Sequence, residues 1–551
     1  MPLPSSPDRL LLAPLGGVGV IGMNNMLLGL GEDLVLLDCG VMFADDRQPG
    51  ADLLLPALGL LDRLAGRIRA IVLTHGHEDH LGAVPWVATR LGVPVYGTRF
   101  TLALLAEKAK GRGNFNLDLR EISPGGRLRI GALEFSFLRV THSIPDCVSL
   151  AIRSPAGNLL FTGDWKRDEG LPCGTRFDIE GFRAFGDEGV LLMLSDSTNA
   201  EVPGFSRQET EVAAGLAAAM AAAPGRVLIG LFSSNLYRLH AAMTAAKAQG
   251  RKVALAGRSL HRYMDACRAW GGLTFPEEII IDPKHLDRYE DDEVCVLCTG
   301  SQGEARAALF RIADGSHPTV RARKGDTVLL SARKIPGNER AIFAMIDSLC
   351  RRGVHVVHRD DPWPIHASGH AAAGELHWLL DAVRPRYFMP VHGVYPFMQK
   401  HAEIARSVGA EVPTIATNGD VIEVDPEHGP CKVGEVSGES WLVDNDRLGT
   451  MQSLGVDERV GMAFGGAVAV TGVLQAGKVT VRLSSRGLFT DQGRIVEEIR
   501  GELEIWLQSM ARNGLADSDL EAELAASAKR AFKRRLDKRP TVMAHLLRVG
   551  A

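Results

Sequence analysis

The sequence predicts an α/β protein of several domains built largely on parallel sheets. Three observations lead there. Short apolar runs end repeatedly in polar, glycine-bearing turns, as strands do when they deliver loops to one edge of a sheet. From Ser206 to Arg359 strand-like and helix-like stretches alternate, which is how a parallel sheet covered on both faces reads. At 551 residues the chain is too long for one core, so three or four units are expected.

The densest chemistry lies in Thr74-His-Gly-His-Glu-Asp-His80, directly after the apolar strand Ala70–Leu73. His75 and His77 are two apart and can converge on one metal from an extended turn. Asp79 and His80 follow at once and can point to a second. Imidazoles and a carboxylate suit zinc, at roughly 2.0–2.2 Å per bond. Histidine is scarce, 17 in 551, so its crowding into one turn is meaningful.

Composition narrows the class. Hydrophobic residues make up 46%, and net charge is −4, so no nucleic-acid partner is announced by bulk charge and any phosphate must be met by a local groove. The apolar runs fall short of the ~18–20 residues a membrane helix needs. The start, Met1 to Arg9, lacks the basic and long apolar regions of a signal peptide, so a cytoplasmic protein without membrane contact is expected. Eight cysteines in a chain this long do not make a disulfide scaffold. Cys295-Val-Leu-Cys298 sits in an apolar strand and reads as buried structural thiols.

Residues 10 to about 200 read as short strands, turns and a few helices. Gly17-Val-Gly-Val-Ile-Gly22 matches a dinucleotide fingerprint, but no helix follows it. The chain turns at Gly29-Leu-Gly31 and enters the strand Leu34–Asp38, so dinucleotide binding is not expected. After Leu81 come helices to about Leu91 and over Arg99–Lys110. Further apolar runs end at His142, at Asp164, at Asp196 and at His392. Beyond the alternating stretch a helix fits Ala372–Leu380. Residues 426–455 read as a glycine- and acid-containing linker. In 456–551, strands fit Ala467–Leu474 and Val479–Leu483 and helices fit Arg494–Met510 and Asp519–Leu536. Lys529–Arg539 carries seven basic residues against one acidic; a solvated helix face, or an oligomer contact through Phe532 and Leu536, is expected there ahead of RNA contact.

The H-x-H-x-D-H stretch, with His142, Asp164 and His392 downstream in that order, resembles the metallo-β-lactamase superfamily. The resemblance implies an αββα sandwich in which His75, His77 and His142 hold one zinc, Asp79, His80 and His392 hold the other, and Asp164 bridges them. Asp38 would support the metal loop. An insertion before the last ligand is similar to the β-CASP nucleases, with Asp196 and His370 matching that group's motifs. Ser233-Ser-Asn-Leu-Tyr-Arg238, Gly257-Arg-Ser259, Thr299-Gly-Ser-Gln-Gly-Glu304, Ile335-Pro-Gly-Asn-Glu339 and Thr141-His-Ser-Ile-Pro-Asp146 resemble the bacterial ribonuclease J family over nearly the whole chain. Val394 and Val20 stand where that family commonly has acidic residues.

The implied organisation starts with a metallo-β-lactamase core whose opening segment spans residues 1–205. An inserted β-CASP domain follows over 206–359, and the core resumes over 360–425. The linker covers 426–455, and a small α+β C-terminal domain covers 456–551. The implied function is a 5′→3′ exonuclease on single-stranded RNA, preferring 5′-monophosphate ends and also cutting internally, in RNA decay and maturation. The implied cofactors are two zinc ions per chain, with manganese or magnesium as alternatives. Asp79 and Asp196 would serve the chemistry, Asp196 by orienting His370 or His392, and His370 would protonate the leaving oxygen. Ser234, Ser368, Gly369 and His370 would hold the 5′-phosphate and Arg258 would track the backbone. A homodimer or homotetramer through the C-terminal domain is implied, as are RNA-decay partner proteins. A DNA-acting nuclease of the same group, a small-molecule hydrolase and a non-catalytic scaffold of an RNA-decay complex are the rival readings.

Overall fold

Two facing sheets carry the metal loop between their edges. The computed structural model describes residues 9–110, 115–333, 335, 337–358, 362–475, 477–488, 493–511 and 516–549. The first sheet has eight strands in the spatial order Gly429–Glu435, Asp420–Asp425, Leu10–Gly16, Asn25–Leu30, Asp33–Leu37, Ile68–Val72, Val95–Thr98 and Leu119–Ile122. The second has six, in the order Tyr387–Val391, Leu192–Asp196, Leu159–Phe161, Cys147–Arg153, Leu133–Val140 and Arg127–Ile130. Alternate side chains of each strand face the partner sheet, as period-two geometry requires. Leu10, Leu12, Leu28, Val35 and Leu37 from one sheet share a core with Phe135, Phe137, Leu150, Leu194 and Met389 from the other.

The alternating stretch forms a third sheet. Its strands, in the order Ile280–Ile281, Lys252–Ala256, Val294–Cys298, Val227–Gly230, Thr327–Leu330 and His355–Val357, all run parallel. Helices Glu209–Ala221, Leu236–Ala248, Arg258–Trp270 and Glu339–Arg351 are among those in and around its connections. The boundary expected at 359 and 360 lies outside the described residues. Cys295 and Cys298 are buried, unbridged and three apart in one strand, and burial pushes the Cys295 thiol up to about 12.

The chain divides into two units. One comprises the residues up to Met42 with Leu55–Glu439, the other Phe43–Leu54 with the chain from Ser440. In the second unit, Ala467–Gln475 lies between Lys478–Arg486 and Thr541–Val549. Helices Gly493–Met510 and Asp517–Leu536 complete its core. None of the described helices is long and apolar enough to cross a membrane.

Two expectations need correction and one is narrowed. Residues 426–455 are not simply a linker: Gly429–Glu435 pairs antiparallel with Asp420–Asp425, and Trp441–Asp444 pairs with Arg447–Gly449. Their polar residues misled because an exposed edge strand tolerates them. The turn expected over Gly29-Leu-Gly31 falls at its last residue, Gly31, with Glu32, and Gly29 is the penultimate residue of the strand Asn25–Leu30. Phe532 is fully buried in the C-terminal core and Leu536 packs against the same core, so an oligomer contact through Phe532 is ruled out. The neighbouring cations face acids: Arg534 pairs with Glu502, Arg535 with Glu498 at 3.1 Å, and Lys533 with Asp537.

Candidate metal centre

The residues singled out from the sequence gather at the C-terminal ends of strands from both sheets. Asp38 follows Asp33–Leu37 and the metal loop follows Ile68–Val72. His142, Asp164 and His392 follow strands of the second sheet, and Asp196 ends one. Because Leu192–Asp196 and Tyr387–Val391 run parallel with Asp196 opposite Val391, Asp196 and His392 emerge side by side.

His75, His77, His142 and Asp164 form one cluster whose ligand-type atoms all lie within 4.8 Å of one another. His77 Nδ1 stands 3.1 Å from His75 Nε2 and 3.0 Å from His142 Nε2. Ligands about 2.0–2.1 Å from a tetrahedral zinc stand about 3.3 Å apart, so these nitrogens fit around one ion. Asp164 Oδ2 lies 3.8 Å from both His75 Nε2 and His142 Nε2. Burial drives His75 and His142 well below the ordinary histidine range and His77 to about 4, which keeps them in the neutral form a metal requires.

Asp79, His80, Asp164 and His392 form the second cluster. Asp79 Oδ2 is 3.6 Å from His80 Nε2 and 3.5 Å from His392 Nε2, and Asp164 Oδ1 is 3.2 Å from His80 Nε2. Asp164 thus turns one oxygen to each cluster. Asp164 Oδ1 and His392 Nδ1 stand 2.7 Å apart, and His392 Nε2, buried and without a hydrogen-bond partner, is the ring nitrogen turned toward Asp79, as an atom reserved for a cation would be. Burial lowers the basicity of His80 and His392, but the carboxylates outweigh it: Asp164, Asp79 and Asp38 raise His80, and Asp164 foremost lifts His392 to about 10. His392 adopts a left-handed backbone, φ +49°, and its N–H donates to the Gly17 carbonyl at 2.7 Å. The Gly17–Gly22 stretch therefore borders the metal centre. A small pocket lies there, lined by Gly17, Asn24, His80, Asp164 and His392 among others.

Orienting contacts surround the ligands. His80 Nδ1 donates to Asp38 Oδ2 at 2.8 Å. Thr74 donates its hydroxyl to the same carboxylate at 2.9 Å, so His75 Nδ1, 3.0 Å from Thr74 Oγ1, must be the donor there. Such partners fix a ligand ring's tautomer.

His370 Nδ1 donates to Asp196 Oδ2 at 2.7 Å, while His392 Nδ1 is 3.5 Å from the other oxygen. Of the two histidines Asp196 was expected to orient, His370 is the one it hydrogen-bonds. Burial lowers the basicity of His370, and Asp196 raises it above the ordinary value on balance. Ser368 accepts from Asn199 Nδ2 at 2.7 Å, and Arg333 donates to Asn199 Oδ1 at 2.6 Å. Ser234 precedes the helix Leu236–Ala248 and Arg258 opens the helix Arg258–Trp270. Among the described residues neither is hydrogen-bonded to the Ser368–Asn199–Arg333 group. Asn199 and Arg333 were missed from the sequence. Both follow strand ends, the one signal that could have found them.

Fold and site together define a metal-dependent hydrolase of the metallo-β-lactamase class. The family profile described as Metallo-beta-lactamase superfamily matches residues 18–195. Profiles for Ribonuclease J, beta-CASP domain match 224–349, Zn-dependent metallo-hydrolase RNA specificity domain 364–415, and Ribonuclease J C-terminal domain 454–549. The chain is 36% identical to a ribonuclease J of Corynebacterium glutamicum, covering 98% of this chain and 77% of that one. It is 37% identical to a ribonuclease J of Mycobacterium tuberculosis, covering 94% and 93%. The chain belongs to the ribonuclease J family and is a metal-dependent nuclease. A solved structure of a protein of unknown function from Enterococcus faecalis V583 is similar with TM-score 0.52 at 15% identity, covering 75% of this chain and all of that one, which shows the fold alone.

Proposed function

We propose that the protein is a zinc-dependent 5′→3′ exoribonuclease that prefers RNA with a 5′-monophosphate, cuts internally as well, and acts in RNA decay and maturation. The observation that carries the 5′-end preference is the Arg333–Asn199–Ser368 group, which adjoins His370. A guanidinium and a hydroxyl are fitting donors for a terminal phosphate. Ser234 and Gly369 would complete that pocket and Arg258 would track the backbone.

His75, His77 and His142 would hold one zinc, Asp79, His80 and His392 the other, with Asp164 between them. When bound, the ions supply an activated water as nucleophile and offset phosphate charge. The chain's own residues do the rest. Asp196 holds His370 by its Nδ1 proton, so Nε2 is the atom left to meet the substrate. His370 gives its proton to the departing 3′-oxygen as the P–O3′ bond breaks. The products are a 5′-phosphate and a 3′-hydroxyl. Association of copies through the C-terminal domain, as a dimer or tetramer, is supported by its edge strand Thr541–Val549, where Met543, Leu547 and Val549 are exposed.

One RNA prepared with 5′-monophosphate, 5′-triphosphate or 5′-hydroxyl ends tests the reading, incubated with wild type and with His77→Ala. Mononucleotides released from the monophosphate form alone, and not by the variant, are expected. Equal internal cutting of all three would remove the 5′ pocket. Cleavage of single-stranded DNA but not RNA would move the assignment to the DNA-acting nucleases of the group.

A further inference from the structure

The loop that ends in His370 touches the first ligand cluster from outside. His142 donates from Nδ1 to the carbonyl of Gly369 at 2.5 Å, which turns Nε2 toward His77. The approach is so close that a Cβ at position 369 would lie 2.8 Å from His142 Cε1 and 3.0 Å from Ser143 Oγ. The family reading makes Gly369 a substrate contact, but its carbonyl is already engaged by a metal-ligand candidate.

The residues flanking Gly369 are held by Asn199 of the core, which donates to Ser368 Oγ at 2.7 Å and to His370 O at 3.0 Å, and the residues before them are held from the inserted segment. Ser331 Oγ donates to Ile365 O at 2.6 Å, Arg207 Nη1 to His366 O at 2.8 Å and Arg238 Nη2 to Ala367 O at 3.4 Å. Arg238 is fully buried and its guanidinium is saturated. It forks onto Glu209 at 2.9 and 3.0 Å and reaches both the carbonyl and the hydroxyl of Ser331 at 3.0 Å. Glu209 is tied back to the metal core, its N–H donating to Asp168 Oδ2 at 2.9 Å and its carboxylate 3.6 Å from Lys166. Trp165, next to Asp164, accepts from the Ala371 N–H at 2.8 Å. A continuous set of directional contacts thus runs from the β-CASP domain to the ring of His142.

We propose that Arg238 is a positioning residue for metal binding. By holding Ser331 and Ala367 from its pairing with Glu209, it sets where the Gly369 carbonyl meets His142, so through this loop the inserted domain orients a ligand of the first cluster. The proposal rests on the assignment of His142 as a metal ligand.

The test is titration of the metal-free full chain with cobalt(II), followed by ligand-field absorbance, in wild type, His142→Ala, Gly369→Ala and Arg238→Lys. Two ions are expected in wild type, one of them lost in His142→Ala. Gly369→Ala and Arg238→Lys should each weaken one ion by roughly 10- to 100-fold, the range for lost outer contacts, and leave the other within about 2-fold. A lysine keeps the charge beside Glu209 but cannot fork, so no buried carboxylate is stranded. A paired Arg238→Met with Glu209→Gln, which removes both charges, should give the same one-site loss. Both ions kept at wild-type affinity in Gly369→Ala and Arg238→Lys would overturn the proposal, as would equal weakening of both, which marks general loosening. Fewer than two ions in wild type, or two retained in His142→Ala, would instead overturn the ligand assignment beneath it.

Discussion

Asp38 receives the Nδ1 proton of His80 at 2.8 Å, and the same carboxylate holds the backbone N–H of Thr74 at 2.8 Å. Through the Thr74 hydroxyl it also reaches His75, so one buried residue steadies a candidate ligand in each cluster. Asp38 does this from a left-handed backbone, φ +58°, a conformation that costs energy outside glycine and persists where the surroundings enforce it. Asn tolerates that backbone and keeps the size. Asp38→Asn is therefore expected to leave the fold intact and lower metal affinity by roughly 10- to 100-fold. Metal analysis of the purified variant checks it; wild-type content would sink the idea.

On the proposed mechanism the Asp196–His370 pair would act on substrate more than on metal. Asp196→Asn or His370→Ala should lower kcat by about 10²–10⁴, the span of general acid–base contributions, with bound metal unchanged. Single-turnover cleavage alongside metal analysis separates the two effects. Loss of metal in either variant would reassign the pair to the ligand sphere.

His401 predicts an acid limb of stability. It is fully buried, 3.0 Å from Ser197 Oγ, and burial lowers it from 6.5 to about 3. The unfolded chain then binds the proton more readily than the folded one. The contribution is complete above pH 6.5 and is lost as pH falls toward about 3. Between pH 6.5 and 5 it amounts to about 2 kcal/mol. Urea unfolding at several pH values should show a shallower fall in His401→Gln than in wild type.

The basic stretch near the C-terminus separates packing from charge. Phe532→Ala should cost about 3–5 kcal/mol of the C-terminal unit's stability. Arg535→Ala, on an exposed ion pair, should cost no more than about 1 kcal/mol. Arg534→Ala with Arg535→Ala should leave RNA affinity within about 2-fold at moderate salt, because their charges face Glu498 and Glu502. Filter binding checks it, and a tenfold loss would restore RNA contact to this helix.

Much of the site was legible in the chain. The local motif Thr74–His80 carries its own chemistry, and strand-end positions marked His142, Asp164, Asp196 and His392, whose place as ligands or catalytic groups came from the resemblance. Strand–helix alternation foretold the parallel sheet, because a sheet buried on both faces demands continuous apolar strands. The edge strand Gly429–Glu435 was hidden by its polar residues, and Phe532 by the cations around it, since hydropathy within a few residues does not say which neighbour will cover a side chain.

By itself the sequence determined which residue types could bind metal and in what order strands would deliver them, because periodicity and side-chain chemistry are local properties. Only the tertiary structure decided that Asp196 bonds His370, that Arg333 reaches Asn199, and that Gly369, 227 positions from His142, accepts its proton. Such pairings depend on how sheets and inserted domain pack, and no spacing along the chain encodes a hydrogen bond closed across that distance.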